Sequence, residues 1–131
     1  MIKIGFIGLG VMGLNIAKHL LKNFDCINIV SRDSVKTKKF ISINKNNKKL
    51  NLYNSIAELT KNSNIIISCV GNDSDLKKVY MSKNSVYDNI LNDTIIIDHT
   101  TASASYSKVL YKKFLKKKSY FFDAPVSGGE I

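Results

Sequence analysis

The sequence contains no tryptophan, a single proline, two cysteines and a single arginine. Two cysteines, Cys26 and Cys69, cannot build a disulfide framework, so we expect a reduced, cytoplasmic setting. No apolar run approaches the roughly 20 residues that span a bilayer. The first residues carry neither the basic region nor the cleavage site of a signal peptide. We therefore expect neither a membrane protein nor a secreted one.

Acidic residues are also scarce, because 20 basic residues stand against 10 acidic ones and give a net charge of +10. Such an excess is typical of nucleic-acid-binding proteins. All the basic residues except Arg32 are lysines, however, whereas base readout and bidentate phosphate contacts favour arginine. Solvated lysine faces explain the charge better, and we expect no nucleic-acid partner. No group of His, Cys and Asp has the spacing of metal ligands, so no metal site is expected.

The 131 residues, 44% hydrophobic and 23% charged, fit one globular domain. Short β-branched or aromatic runs alternate with longer amphipathic ones. The predicted strands are residues 3–7, 27–30, 50–53, 65–70, 94–98 and 120–123. The predicted helices are residues 11–23, 34–43, 55–61, 73–81 and 103–118. This alternation predicts an α/β fold with a doubly wound, mostly parallel sheet in the Rossmann-like order 3-2-1-4-5-6.

A glycine-rich loop, Gly-Leu-Gly-Val-Met-Gly, joins the first predicted strand directly to the first predicted helix. In that context GxGxxG is the fingerprint of a dinucleotide site. Gly8 would permit a tight turn, Gly10 would let the backbone approach a pyrophosphate, and Gly13 would let the helix pack against the strand. The alternative is a tight turn without a ligand. The predicted cofactor contacts of this loop are Gly8, Leu9, Gly10, Val11, Met12 and Gly13.

The end of the second predicted strand bears on the choice of dinucleotide. An NAD site places Asp or Glu there, on the ribose hydroxyls. This sequence has Ser31 followed by Arg32, and an arginine fork can hold a 2′-phosphate. Asp33 is a rival acid that could instead cap the next helix. The pattern favours NADP, with NAD as the alternative.

Four segments resemble the β-hydroxyacid dehydrogenases, a family that includes 3-hydroxyisobutyrate dehydrogenase and, more distantly, 6-phosphogluconate dehydrogenase. Residues 5–13 are similar to its N-terminal signature, residues 68–73 to its loop after the fourth strand, and residues 98–101 to the turn after the fifth. Residues 123–129, Asp-Ala-Pro-Val-Ser-Gly-Gly, match its substrate-binding motif. The resemblance covers the whole chain and implies an NAD(P)-dependent oxidoreductase that acts on the CH–OH group of a small 3-hydroxy acid or reduces the semialdehyde.

The resemblance also implies roles for particular residues. The three loop glycines would hold the pyrophosphate, and Ser31 and Arg32 would lie at the adenosine ribose. Cys69 and Val70 would line the cofactor after the fourth strand, and Thr101 would lie beside the nicotinamide. The implied substrate-binding residues are Ser127, Gly128 and Gly129.

One departure from the family concerns catalysis. Family members are considerably longer, and the lysine that serves as their general acid/base lies in a helical region beyond the position of Ile131. We therefore expect residues 1–131 to be a dinucleotide-binding domain that is incomplete at its C-terminus, with no catalytic residue of its own and with homo-oligomers only in a full-length chain. His99 is a weaker candidate for a direct chemical role. The alternative is a free-standing dinucleotide-binding module without catalysis.

Overall fold

Six parallel strands form one sheet in the order β3-β2-β1-β4-β5-β6 in the computed structural model, which describes residues 1–30 and 35–126. The strands are β1 (Ile4–Ile7), β2 (Ile27–Val30), β3 (Leu50–Tyr53), β4 (Ile65–Ser68), β5 (Ile95–Asp98) and β6 (Tyr120–Asp123). The helices are α1 (Val11–Asn23), α2 (Val35–Ile43), α3 (Ile56–Lys61), α4 (Asp73–Met81), α5 (Val86–Asn89) and α6 (Ala104–Leu115). The Rossmann-like fold predicted from the sequence is confirmed. Over these described ranges, no helix is long and apolar enough to cross a membrane.

Two apolar cores lie on the two faces of the sheet, because side chains alternate along each strand. On one face, Ile4 and Phe6 of β1 pack with Ala17 of α1 and Phe40 of α2. The opposite core is larger and more aromatic, and its members from the strands and from α4 to α6 include Ile66, Ile96, Phe121, Leu76, Tyr80, Val86, Leu110 and Phe114. The Tyr80 ring meets Phe114 and Phe121 edge to face, with centroids 5.8 and 5.7 Å apart. Both faces of the central strands are therefore buried, as their near-continuous apolar sequences indicate.

Three elements differ from the sequence prediction by more than one residue. Strand β4 ends at Ser68, so Cys69 and Val70 lie in the following loop rather than in the strand. Helix α5 was not predicted, because its four residues are too few to give a helical period. Helix α6 ends at Leu115, and the chain leaves it through Lys118, whose φ of 53° is left-handed.

The edge strand β6 buries only part of its aromatic run. Phe121 is 2% exposed, whereas Tyr120 and Phe122 are 43% and 53% exposed. Helix α6 covers the face that carries Phe121, while Tyr120 and Phe122 lie on the other face, in register with Ile95 and Ile97 of β5. Successive side chains of a strand point to opposite faces, so an edge strand that is covered on one face buries only alternate residues, however hydrophobic the run is.

Candidate cofactor site at the sheet reversal

The strand order reverses between β1 and β4, which leaves a crevice outside their carboxyl ends. Ligands of open α/β sheets bind at such a reversal. The loops that border it are joined through the backbone. The Cys69 N–H donates to the Ile7 carbonyl at 3.0 Å, and the His99 N–H donates to the Ser68 carbonyl at 2.8 Å. The structure thus brings together the three loops that follow β1, β4 and β5.

Gly8 makes the turn that leaves β1. Its φ of +103° is strained for any residue with a side chain, and a Cβ there would lie 2.1 Å from the Cys69 carbonyl oxygen. The glycine is therefore required by the turn and by the close approach of the loop after β4. Both requirements come from the chain itself.

Gly13 lies in the first turn of α1, over the Gly8 turn. A Cβ at this position would lie 1.8 Å from the Gly8 carbonyl oxygen, which is closer than any real contact. The absence of a side chain lets α1 pack directly on the backbone of the loop. Like Gly8, this glycine is required by the fold.

Gly10 differs from both. Its φ of −81° and ψ of −166° are extended values that other residues adopt. A Cβ there would have no atom within 4 Å among the described residues. The described structure therefore contains no reason for glycine at position 10, and a requirement for glycine would come from something that approaches the loop from outside.

The N-terminus of α1 opens at the same place. Gly10 is its N-cap, with no side-chain acceptor for the first N–H groups, and the first turn has no acidic residue. By contrast, α3, α4 and α6 are capped by the side chains of Ser55, Asn72 and Ser103. Uncapped N–H groups and the positive end of the helix dipole favour an anion at this end. The arrangement suits a pyrophosphate.

The other loop residues divide between core and crevice. Leu9 is buried in the core beneath α1, so only its backbone is available to a ligand, and Met12 is partly exposed. Val11 begins α1. Beside the loop, a small apolar recess lies between the ends of β1 and β2, lined by Phe6, Ile7, Gly8, Leu9, Val30 and Ile56. The predicted ribose contacts Ser31 and Arg32 follow Val30 and lie outside the described residues.

The loops after β4 and β5 form the other wall of the crevice. Burial raises the pKa of the Cys69 thiol, and the nearby Asp98 charge raises that pKa further. A thiol of raised pKa is a poor nucleophile, so Cys69 is better described as a small apolar part of the crevice wall. The Val70 N–H donates to the Thr100 hydroxyl at 2.9 Å. Thr101, predicted to lie at the nicotinamide, is exposed.

A buried polar network behind this wall was missed by the sequence analysis. Asp98 Oδ1 accepts from the hydroxyls of Ser68 at 2.8 Å and Thr100 at 2.7 Å, and from the Thr100 N–H at 3.1 Å. The Ser68 hydroxyl in turn accepts from the Tyr80 hydroxyl at 2.6 Å. Asp98 Oδ2 is buried and has no partner among the described residues. The strand period could have indicated the network, since Ser68 and Asp98 occupy one register position on one face.

Burial raises the pKa of Asp98 above its ordinary value of 3.8, although the hydrogen bonds from Thr100 and Ser68 lower it and the charge of Asp123 raises it. The folded chain then binds this proton more tightly than the unfolded chain, so the free energy of unfolding falls as pH rises from 3.8 through the folded-state pKa. Asp98→Asn removes this titration and keeps an acceptor oxygen. We expect the variant to gain stability relative to the wild type as pH rises through that window, measured by urea unfolding between pH 4 and 7. Parallel pH profiles of the two proteins would contradict this assignment.

The segment after β6 is fastened to the turn after β5. The Ala124 N–H donates to the Asp98 carbonyl at 2.8 Å, and the Ala124 carbonyl lies 2.8 Å from Nδ1 of His99. The Val126 N–H donates to the His99 carbonyl at 3.4 Å. His99 thus holds the segment that leads toward Ser127, Gly128 and Gly129, the predicted substrate contacts, which lie outside the described residues. No group of three potential metal ligands occurs within residues 1–30 and 35–126.

Comparisons with known proteins agree with this geometry. Residues 3–131 match the family model described as the NAD binding domain of 6-phosphogluconate dehydrogenase. The uncharacterized oxidoreductase YkwC of Bacillus subtilis is 34% identical over 98% of this chain and 43% of its own length. Mitochondrial 3-hydroxyisobutyrate dehydrogenase of Drosophila melanogaster is 34% identical over 96% of this chain and 37% of its own length. The chain therefore spans about two fifths of these relatives.

A solved structure, Psf3 in complex with NADP+ and 2-OPP, matches with a TM-score of 0.84 at 23% identity. The match covers 96% of this chain and 43% of that one. At this identity the likeness establishes the fold alone.

Proposed function

We propose that this chain, which belongs to the family of the NAD binding domain of 6-phosphogluconate dehydrogenase, binds a nicotinamide dinucleotide at the sheet reversal. In the complete protein it would form the cofactor-binding part of an oxidoreductase acting on the CH–OH group of a small 3-hydroxy acid. The bound cofactor would supply the hydride acceptor or donor. The residues of this chain would bind and orient it.

The observation that carries the proposal is the contrast among the three loop glycines. Gly8 and Gly13 are demanded by the fold, whereas Gly10 is surrounded by open space. A pyrophosphate in contact with the loop backbone supplies the missing reason, because a side chain at position 10 would occupy the phosphate position. The uncapped N-terminus of α1 beside it has the right polarity. Saturable binding of NADP or NAD by the chain tests the proposal.

The other predicted residues take places around this anchor. We place the adenosine half beside the glycine loop, at the carboxyl ends of β1 and β2, with Ser31 and Arg32 at its ribose. Cys69, Val70 and Thr101 would border the nicotinamide half, and Ser127, Gly128 and Gly129 would hold the substrate. The tie from His99 to Ala124 supports this arrangement, because it brings the segment after β6 to the nicotinamide side of the crevice.

The substrate class rests on the relatives. The name of the Drosophila relative gives 3-hydroxyisobutyrate as its substrate and a mitochondrial location. For this chain, a small hydroxy acid or semialdehyde is the proposed substrate, and cytoplasmic location, homo-oligomers of a full-length chain and the lack of a nucleic-acid partner remain predictions. A direct assay of the complete protein with 3-hydroxyisobutyrate tests the substrate class.

The choice between NADP and NAD depends on Arg32. An arginine–phosphate hydrogen bond contributes about 1.5–3 kcal/mol, or roughly 10- to 150-fold in affinity. We expect NADP to bind more tightly than NAD, and Arg32→Ala to weaken NADP by that factor while leaving NAD almost unchanged. Arg32→Lys is the matched control, because it keeps the charge and loses the fork. Calorimetric titrations that give tighter NAD binding, or equal losses for both nucleotides, would overturn the NADP assignment.

A further inference from the structure

We infer that Thr100 is a positioning residue, whose hydroxyl sets the Val70 backbone against the nicotinamide half of the cofactor. The inference rests on the proposed function. It adds to the site a residue that does not itself contact the cofactor. Thr100 is 1% exposed and lies behind the crevice wall. Its effect would therefore reach the ligand through Val70.

The directions of the two hydrogen bonds follow from chemistry. A backbone N–H can only donate, so the Thr100 oxygen accepts from Val70 at 2.9 Å. The single hydroxyl proton of Thr100 is then free to donate to Asp98 Oδ1 at 2.7 Å. One hydroxyl thus joins the turn after β5 to the loop after β4.

The inner end of this connection is held in the core. Asp98 Oδ1 also accepts from Ser68, which accepts from Tyr80. The Tyr80 ring is wedged among Phe114 and Phe121. Because the Tyr80 ring is closely packed in the core, the network that it joins holds the Thr100 hydroxyl in one position before a ligand binds.

The outer end reaches the proposed cofactor surface. The loop after β4 abuts the glycine turn, because a Cβ on Gly8 would meet the Cys69 carbonyl at 2.1 Å and the Val70 side chain at 3.2 Å. Cys69 and Val70 therefore lie between the glycine loop and the Thr100 turn. Loss of the hydroxyl would leave the Val70 N–H without its acceptor and release this part of the wall, while the glycine loop keeps its own contacts.

The test compares a whole dinucleotide with its adenosine half. The whole ligand is whichever of NADP or NAD the wild type binds more tightly, and the half is ADP, which ends at the pyrophosphate and carries the 2′-phosphate when the whole ligand is NADP. Thr100→Val removes the hydroxyl with little change in shape. We expect this variant to bind the whole dinucleotide about tenfold more weakly and the half as tightly as the wild type. Thr100→Ser keeps the hydroxyl and should restore binding of the whole dinucleotide.

Thr94→Val is the matched control for stability. Thr94 is also 1% exposed, and its hydroxyl donates to the Leu91 carbonyl at 2.7 Å, just before the opposite end of β5. It should lower the melting temperature without changing either affinity. If Thr100→Val does not fold, Thr100→Ala, which removes the same hydroxyl without placing a methyl group against Asp98, carries the same expectation.

The outcomes separate the two proposals. If the wild type binds neither the dinucleotide nor its half, the proposed function fails and takes the inference with it. If the wild type binds both and Thr100→Val weakens both equally, or changes neither, the proposed function stands and the positioning role is wrong. Failure of Thr100→Ser to restore binding would also overturn the role, because the shared hydroxyl is its cause.

Discussion

Gly10→Val is expected to abolish dinucleotide binding and to leave the chain folded. The valine side chain would fill the space that we assign to the pyrophosphate, and we expect a loss of at least about hundredfold, or about 2.8 kcal/mol. The fold should tolerate the change, because position 10 has extended dihedral angles and no described atom within 4 Å of a Cβ. Replacing a glycine N-cap by an apolar residue costs about 1 kcal/mol, which corresponds to a fall of about 4 °C in melting temperature.

Gly13→Ala is the matched comparison, because it adds a single methyl group to the same loop. Its Cβ would lie 1.8 Å from the Gly8 carbonyl oxygen, so α1 would have to move away from the turn. We expect the free energy of unfolding to fall by more than about 3 kcal/mol, which exceeds the common range for an overpacked site. Circular dichroism and calorimetry on the same samples distinguish the two variants. Intact binding by Gly10→Val would mean that the loop is only a turn.

The second large effect concerns turnover. We expect the 131-residue polypeptide to bind dinucleotide and yet to show no dehydrogenase activity with 3-hydroxyisobutyrate, glycerate or succinic semialdehyde. The family resemblance predicts that the general acid/base lysine lies outside residues 1–131, and general acid–base catalysis contributes about 10²–10⁴-fold in rate. Misplacement of the substrate would lower the rate further.

The assay needs its own positive control, which is dinucleotide binding by the same sample under the same conditions. Turnover at ordinary enzyme rates, about 1–10³ s⁻¹, would show that a catalytic group lies within this chain. His99 would then be the first residue to test, although one ring nitrogen already lies 2.8 Å from the Ala124 carbonyl. His99→Asn would separate the roles, because asparagine can still donate to that carbonyl and cannot act as a base.

The fold could be predicted because its signals are local. The central strands are short, nearly continuous apolar runs, and the glycine loop stands directly between β1 and α1. The residues Ser55-Ile56-Ala57-Glu58 have the pattern of a capping box, and the Ser55 hydroxyl accepts from the Glu58 N–H at 3.1 Å. The Glu58 carboxylate reaches back to the N–H of Asn54, one residue before the cap. The capping-box pattern therefore places the start of α3 correctly. Its second hydrogen bond forms one residue earlier than the pattern requires, at the N–H of Asn54.

The site was harder to predict because its decisive features are not local. Sequence spacing treats Gly8, Gly10 and Gly13 alike, and only the packed structure separates the two that the fold requires from the one that it does not. The network of Ser68, Tyr80, Asp98 and Thr100 is drawn from β4, α4, β5 and the turn after β5, so no single stretch of sequence displays it. The exposure of Tyr120 and Phe122 could not be predicted from composition, because this edge strand is as apolar as a central one.

Calorimetric titration of the wild-type chain with NADP and with NAD tests the central claim most directly. The account predicts saturable binding of one dinucleotide per chain, competition by inorganic pyrophosphate, and tighter binding of NADP. The competition is informative because the glycine loop and the N-terminus of α1 are the proposed anchor for the phosphates. A folded wild-type chain that shows no saturation with either nucleotide at millimolar concentration would contradict the account.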